Sequence, residues 1–240
     1  MTAFSDPGTV SQLPPLGLST NRSDLVVESV KTAILSGQLA PDEVLVERRI
    51  ADQLGISKTP VREALIILMR SGLLTATARR GVCVRRLSLR DVRHIYEERV
   101  LLEPWAIAHA RSPHPDFKAA ARALDDVERH RVDGDTAASA LANRRFHRAM
   151  YAQCDNEFIV ESLDRLQDLT ALAAASVLWE KWPTSDKEFT EHQTIYDAAQ
   201  AGRLEEAGEL MREHIQASIT RLADQESAEA AELSASEPAL

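Results

Sequence analysis

Three features of the 240-residue sequence predict a mainly α chain, with an N-terminal winged helix-turn-helix followed by a C-terminal all-α helical bundle. The first is the split of charge. Residues 22–90 carry twelve Lys and Arg against seven Asp and Glu, a net +5, whereas residues 91–240 carry sixteen against twenty-nine, a net −13. A basic front on an acidic body suits a chain in which one domain meets a polyanion and the other does not. The second is that the basic segment reads in the order helix, helix, tight turn, helix, hairpin. The third is that nothing after Ser88 alternates with the period of two that a strand requires. An aromatic content of only 5% also disfavours sandwiches and barrels built on aromatic-rich strands.

The elements follow in order. Residues 1–20 hold Pro7, Gly8, Pro14, Pro15 and Gly17 with little periodic hydrophobicity, which predicts a flexible arm. Ser23 and Asp24 can cap a first helix, with Val26, Val30, Ala33 and Ile34 at helical spacing and Gly37 at its end. After the break at Pro41, a second helix covers residues 47–54 and stops at Gly55. A third starts after Ser57, tolerates Pro60 in its first turn and stops at Gly72. Residues 73–78 and 82–86 read as two short strands around a turn at residues 78–81. Ser88 with Asp91 forms a capping-box pattern, and helices are expected over 89–111, 117–132, 136–154, 157–180, 186–201 and 203–223. Trp105, Trp179 and Trp182 read as core or cavity wall. Residues 224–240, rich in Ala, Glu and Ser, read as a disordered acidic tail. The domains expected are therefore the arm at 1–20, a DNA-binding domain at 21–88, a helical domain at 89–223 and the tail.

No apolar run approaches the ~20 residues of a membrane span, and the N-terminus lacks the charged and apolar regions of a signal peptide. Two cysteines, Cys83 and Cys154, are too few for a disulfide framework. The expectation is a cytoplasmic protein with no membrane partner.

The chemistry of the basic half concentrates on the third helix. With Ser57 as N-cap, Lys58, Thr59 and Arg62 project near the positive end of that helix, where backbone N–H groups also face outward. Val61, Leu65 and Leu68 form the apolar stripe that docks it. Such a helix can lie in a major groove with Lys58 or Arg62 reaching guanine edges, while Arg48 reaches a phosphate or a base from the preceding helix. Arg79, Arg80 and Gly81 form the hairpin tip, where Gly permits a tight turn and Arg can enter a minor groove. Each cation alone is an ordinary surface group. Their joint placement on one helix-turn-helix and wing points to double-stranded DNA.

These residues carry a resemblance. Ile56-Ser57-Lys58-Thr59-Pro60-Val61-Arg62-Glu63-Ala64-Leu65, followed by Ser71-Gly72-Leu73-Leu74 and Arg80-Gly81-Val82-Cys83-Val84, is similar to the winged helix of GntR-superfamily transcription regulators. Residues 34–39 and 47–51 fit the same pattern. The helical half resembles the FCD ligand-binding domain of the FadR-like branch through residues 99–103, Phe146-His147, Asn156, Glu191-His192 and His214. Asp42 departs from the pattern where a turn glycine is common. Lys58 departs where Arg is usual, replacing a bidentate fork with a point charge.

A second constellation is Asn143, His147, His192 and His214. Asn143 and His147 share a helix face at i, i+4, and an antiparallel bundle can bring His192 and His214 to the same point. Three imidazoles and one oxygen suit Zn²⁺, Ni²⁺ or a similar divalent ion. Scattered histidines are also ordinary surface or core residues. The resemblance implies a metal site, because FCD domains commonly use an Asp and three His at these positions. Asn143 stands in place of that Asp, which leaves the centre more positive and favours an anionic effector.

The resemblance likewise implies that Arg99 binds the effector's acidic group; a buried ion pair with Glu97, Glu98 or Glu103 is the other reading. The function expected is that of a homodimeric, non-enzymatic repressor of a palindromic operator, released by a small anionic metabolite such as a carboxylate. A metal-dependent enzyme using the three histidines, or a DNA-binding protein whose bundle only dimerises, are the alternatives.

Overall fold

The computed structural model describes residues 21–77, 81–112, 114–174 and 186–236. Among them the chain runs α1 (Arg22–Leu35), β1 (Val44–Leu45), α2 (Glu47–Leu54), α3 (Lys58–Arg70), β2 (Leu74–Ala76), β3 (Val82–Val84), α4 (Leu89–Ala108), α5 (Lys118–Val132), α6 (Thr136–Tyr151), α7 (Glu157–Ala173), α8 (Asp186–Gln200) and α9 (Leu204–Ser236). The expected arm, Arg79 and Arg80 of the wing, Trp179 and Trp182 all lie outside the described residues.

The cap of α1 is Asn21 rather than Ser23 or Asp24. Its side chain accepts from the Ser23 amide at 3.3 Å, while Ser23 itself is buried within the first turn. Val26, Val30 and Ile34 of α1 then pack on Val61, Ala64, Leu65 and Leu68 of α3. The sheet has a third strand that period-two reading missed, because β1 is only two residues long. It lies beside β3 in the antiparallel order β1-β3-β2, with Val44 opposite Cys83 and Thr75 on the other side of Cys83. The turn before β1 holds Asp42 at φ 68°, a left-handed conformation that explains why glycine suits this position. Asp tolerates it better than most residues, and here its carboxylate also pairs with Arg86 at 2.5 Å.

The capping box at Ser88 and Asp91 forms in both directions. Helix α4 runs unbroken through Pro104 because α9 compensates for it. Pro104 has no N–H for the Val100 carbonyl, and Arg212 Nη1 of α9 donates to that oxygen at 3.3 Å. One turn away, a Cβ on Gly208 would stand 2.8 Å from the Pro104 carbonyl, so only glycine permits this approach of the two helices.

The disordered tail expected from residue 224 is instead the last part of α9, which continues to Ser236. Ala and Glu are strong helix formers, so the composition that suggested disorder serves a helix once it has a neighbour. Glu226 pairs with Arg93 of α4 at 3.0 Å. Of the two expectations for Trp105, core and cavity wall, the second holds: it is 39% exposed, stacks on His109 and lines a surface cleft with Arg111 and Phe158.

One apolar cluster joins the winged helix to the bundle, running from Leu73 and Val84 through Val92 to Leu163 and Leu166. A second, centred on Phe146, Met150, Ile195, Met211 and Ile215, forms the wall around the polar interior described next.

Candidate functional site

Helix α3 presents Lys58, Thr59 and Arg62 on its exposed face, and Arg48 is exposed on α2, within 3.8 Å of Asp52. Ser57 stands at the N-cap with extended backbone, but its side chain makes no capping bond. Arg62 is not free: Glu47 of α2 takes its Nε at 3.0 Å and its Nη2 at 2.9 Å. Glu47 thus holds the guanidinium most suited to reading a base, a role that no local pattern announces at a separation of 15 positions. Gly81 closes the wing for a reason other than backbone conformation. Its N–H donates to Thr77 Oγ1 at 3.0 Å, and an added Cβ would come within 3.2 Å of that oxygen.

The bundle brings His147 of α6, His192 of α8 and His214 of α9 together. Each offers a nitrogen within 4.8 Å of the others, and all three are buried. Two are aimed by carboxylates. Glu103 lies 2.5 Å from His147 Nδ1, and Glu191 lies 2.7 Å from His214 Nδ1, which leaves both Nε2 atoms facing inward. His192 Nε2 lies 3.1 Å from His214 Nε2. Burial pulls His147 down to about 4 and His192 well below its usual range, so both are neutral at pH 7.

Asn143 sits one turn before His147 on α6. Its Oδ1 is buried and has no hydrogen-bond partner among the described residues, as is true of His192 Nδ1. An orphaned acceptor of this kind is costly unless a cation or donor meets it. Three clustered imidazoles, carboxylates behind two of them and an unsatisfied amide oxygen one turn away fit the donor chemistry of a divalent ion.

Arg99 is fully buried in an ion pair, and of the three carboxylates within reach its partner is Glu103, 3.1 Å from Nε. With its carbonyl turned to Arg99, Gln167 accepts from Nη2 at 3.0 Å and Nε at 3.2 Å. The guanidinium also lies over the Tyr96 ring. Burial alone would push the Glu103 carboxyl up, but Arg99 and His147 beside it hold it down to about 2. Glu103 is therefore an anion that neutralises Arg99 and accepts the His147 Nδ1 proton. Arg99 Nη2 also approaches His147 Nδ1 to 3.2 Å, but two donors face each other there, and the 2.5 Å contact with Glu103 fixes the proton.

Glu103 could be suspected from its i, i+4 spacing to Arg99. Glu191 could not, because its neighbour in sequence is His192 while its partner is His214.

The sequence matches the FCD domain over residues 94–217 and the gntR family of bacterial regulatory proteins over residues 22–84. It is 27% identical over 202 residues to the HTH-type transcriptional repressor GlaR of Escherichia coli, covering 78% of this chain and 89% of that protein. Over 144 residues it is 29% identical to YdhC, an uncharacterised HTH-type regulator of Bacillus subtilis, covering 58% of this chain and 64% of that one. The fold superposes on a GntR-type regulator from Rhodococcus sp. RHA1 with a TM-score of 0.75 at 26% identity, over 85% of this chain and 99% of the other. These relatives are transcription regulators rather than enzymes. The chain belongs to the GntR family of bacterial transcription regulators, in the FadR-like branch that pairs a winged helix with an FCD domain.

Proposed function

We propose that this regulator is a metabolite-responsive repressor, in which a small carboxylate bound beside a divalent ion controls the affinity for a palindromic operator. GntR regulators bind DNA operators and FCD domains bind small-molecule effectors, often with a metal. The repressor sense follows the relative GlaR. In this reading residues 21–88 bind DNA through Arg48, Ser57, Lys58, Thr59, Arg62, Arg80 and Gly81. Residues 89–223 hold the effector and join two copies into a cytoplasmic homodimer whose half-sites mirror its symmetry. Effector and metal favour a bundle arrangement in which the two winged helices no longer match that spacing.

The observation that carries the reading is the neutrality of the donor set. His147, His192, His214 and Asn143 cancel none of an ion's charge, so Zn²⁺ or Ni²⁺ held by them retains its full pull on an anion. Arg99, already matched by Glu103, orients an effector carboxylate rather than attracting it.

The test is a thermal-shift titration of metal-stripped protein with Zn²⁺. Binding to the folded state alone stabilises it by about 2.7 kcal/mol at a hundredfold excess over Kd. His147→Ala and His192→Ala should abolish the shift. Asn143→Asp should tighten zinc binding while weakening the binding of carboxylic acids. Equal response of wild type and His147→Ala to zinc would reduce the histidines to structural residues.

A further inference from the structure

Cations from both domains meet at a single carboxylate. Asp168 of α7 is 5% exposed. It accepts from Lys31 Nζ of α1, in the winged helix, at 2.5 Å. Its other oxygen accepts from Arg144 Nη2 of α6. Further along the junction Leu169 lies against Gly72, where an added Cβ would stand 3.5 Å from the leucine methyl, beside a cleft that Arg70, Arg85, Glu98 and Arg165 also line. Asp168 and Lys31 thus form a buried charged tie between the two domains.

What makes the tie informative is the residue before each bundle partner. On α6, Asn143 lies on the histidine face and Arg144 reaches Asp168. On α7, Gln167 accepts from Arg99 at 3.0 Å, and Asp168 reaches Lys31. Successive residues project about 100° apart around a helix. A rotation or small shift of α6 or α7 at the histidine centre therefore displaces Arg144 or Asp168 at the junction by a comparable amount.

One carboxylate shared between two cations is also a competition. If Arg144 engages both oxygens, Lys31 loses its partner. Lys31 belongs to the helix whose Val26, Val30 and Ile34 pack on the DNA-facing α3.

We propose that Asp168 is the positioning residue that couples the histidine centre to the winged helix, by exchanging its hold between Arg144 and Lys31. This rests on the reading of that centre as a metal and effector site. Coupling of this kind between two sites amounts to a change of about 5- to 150-fold.

The experiment is hydrogen exchange on the full chain, metal-stripped and then loaded with Zn²⁺ alone. In wild type, zinc should change exchange in α1 by about 5-fold or more, together with protection of α6 and α8. In Asp168→Asn and in Lys31→Met the response of α6 and α8 should persist while that of α1 is lost. Lys31→Met removes only the partly exposed end of the tie and keeps the test open should Asp168→Asn fold poorly. A wild-type α1 indifferent to zinc while α6 and α8 respond would overturn the coupling alone, as would a full α1 response in either variant. No response anywhere in wild type would remove the metal reading, and the coupling with it.

Discussion

The DNA-facing surface and the histidine centre use similar numbers of polar groups but hold them in opposite ways. On the surface, Lys58, Thr59 and Arg62 come from one stretch of one helix and point into solvent. Their one firm restraint among the described residues is the exposed pair of Arg62 with Glu47. In the bundle, Glu103, His147, Glu191, His192 and His214 come from α4, α6, α8 and α9. Nearly every one is fixed by another: Arg99 on Glu103, Glu103 on His147, Glu191 on His214. The difference is one of dielectric. An exposed ion pair contributes at most about 1 kcal/mol and can be traded for a phosphate or a base. A buried one cannot lose a member without stranding a charge. Changes on the surface should thus be graded and local, whereas changes in the centre should reach the stability of the whole domain.

The largest effect should come from Glu103→Ala, which leaves Arg99 buried and unpaired and costs about 3–5 kcal/mol in chemical denaturation. Glu103→Gln should cost less, because its oxygen can still accept from Arg99 or His147. A loss below about 1 kcal/mol for Glu103→Ala would break the contrast at its strongest point.

Next is pH, measured on metal-stripped protein. His147 ionises at about 4 in the folded chain because it is buried, against an ordinary value of 6.5 in the unfolded one. Below pH 6.5 the unfolded chain takes up a proton that the folded chain refuses. Stability should therefore fall as pH drops, by at most about 3 kcal/mol, and the contribution should level off below pH 4. In His147→Gln this part of the slope should vanish between pH 7 and 4.

On the surface, Arg62→Ala should cost about 1–3 kcal/mol of binding to a duplex selected by the wild-type protein, relaxing one base pair per half-site with folding intact. Glu47→Gln should raise affinity for random duplex, since a negative charge is gone, while lowering the ratio of specific to random binding. An increased ratio would show that Glu47 blocks Arg62 rather than aiming it.

The smallest effect concerns the turn before β1. Asp42→Ala should cost about 1 kcal/mol, because alanine tolerates φ 68° less well and loses Arg86, whereas Asp42→Gly should be close to neutral. Thermal melts of the two variants side by side would resolve the difference.

The same contrast explains what could be read from the chain. Recognition helix, capping box and bundle helices are dictated by neighbours within a turn or two, and Pro60, Gly55, Ser88 and Asp91 marked them in place. The histidines were legible through resemblance, but their supports were not. Glu103 lies 44 positions from His147, Glu191 lies 23 from His214, and Glu47 lies 15 from Arg62. Such pairings exist only after packing has chosen which faces meet. The end of α9 escaped for another reason: Ala, Glu and Ser serve a solvated helix and an unstructured tail alike, and Arg93 decides between them.

Pro104 and Gly208 fix how the bundle can move. Sliding α9 along α4 by one turn, about 5.4 Å, would withdraw Arg212 from the Val100 carbonyl and bring a side-chain-bearing position against the Pro104 oxygen. The pair is indexed like two gears with one permitted mesh. A rearrangement of the helical domain that keeps this mesh is carried by the other helices moving against the α4–α9 pair.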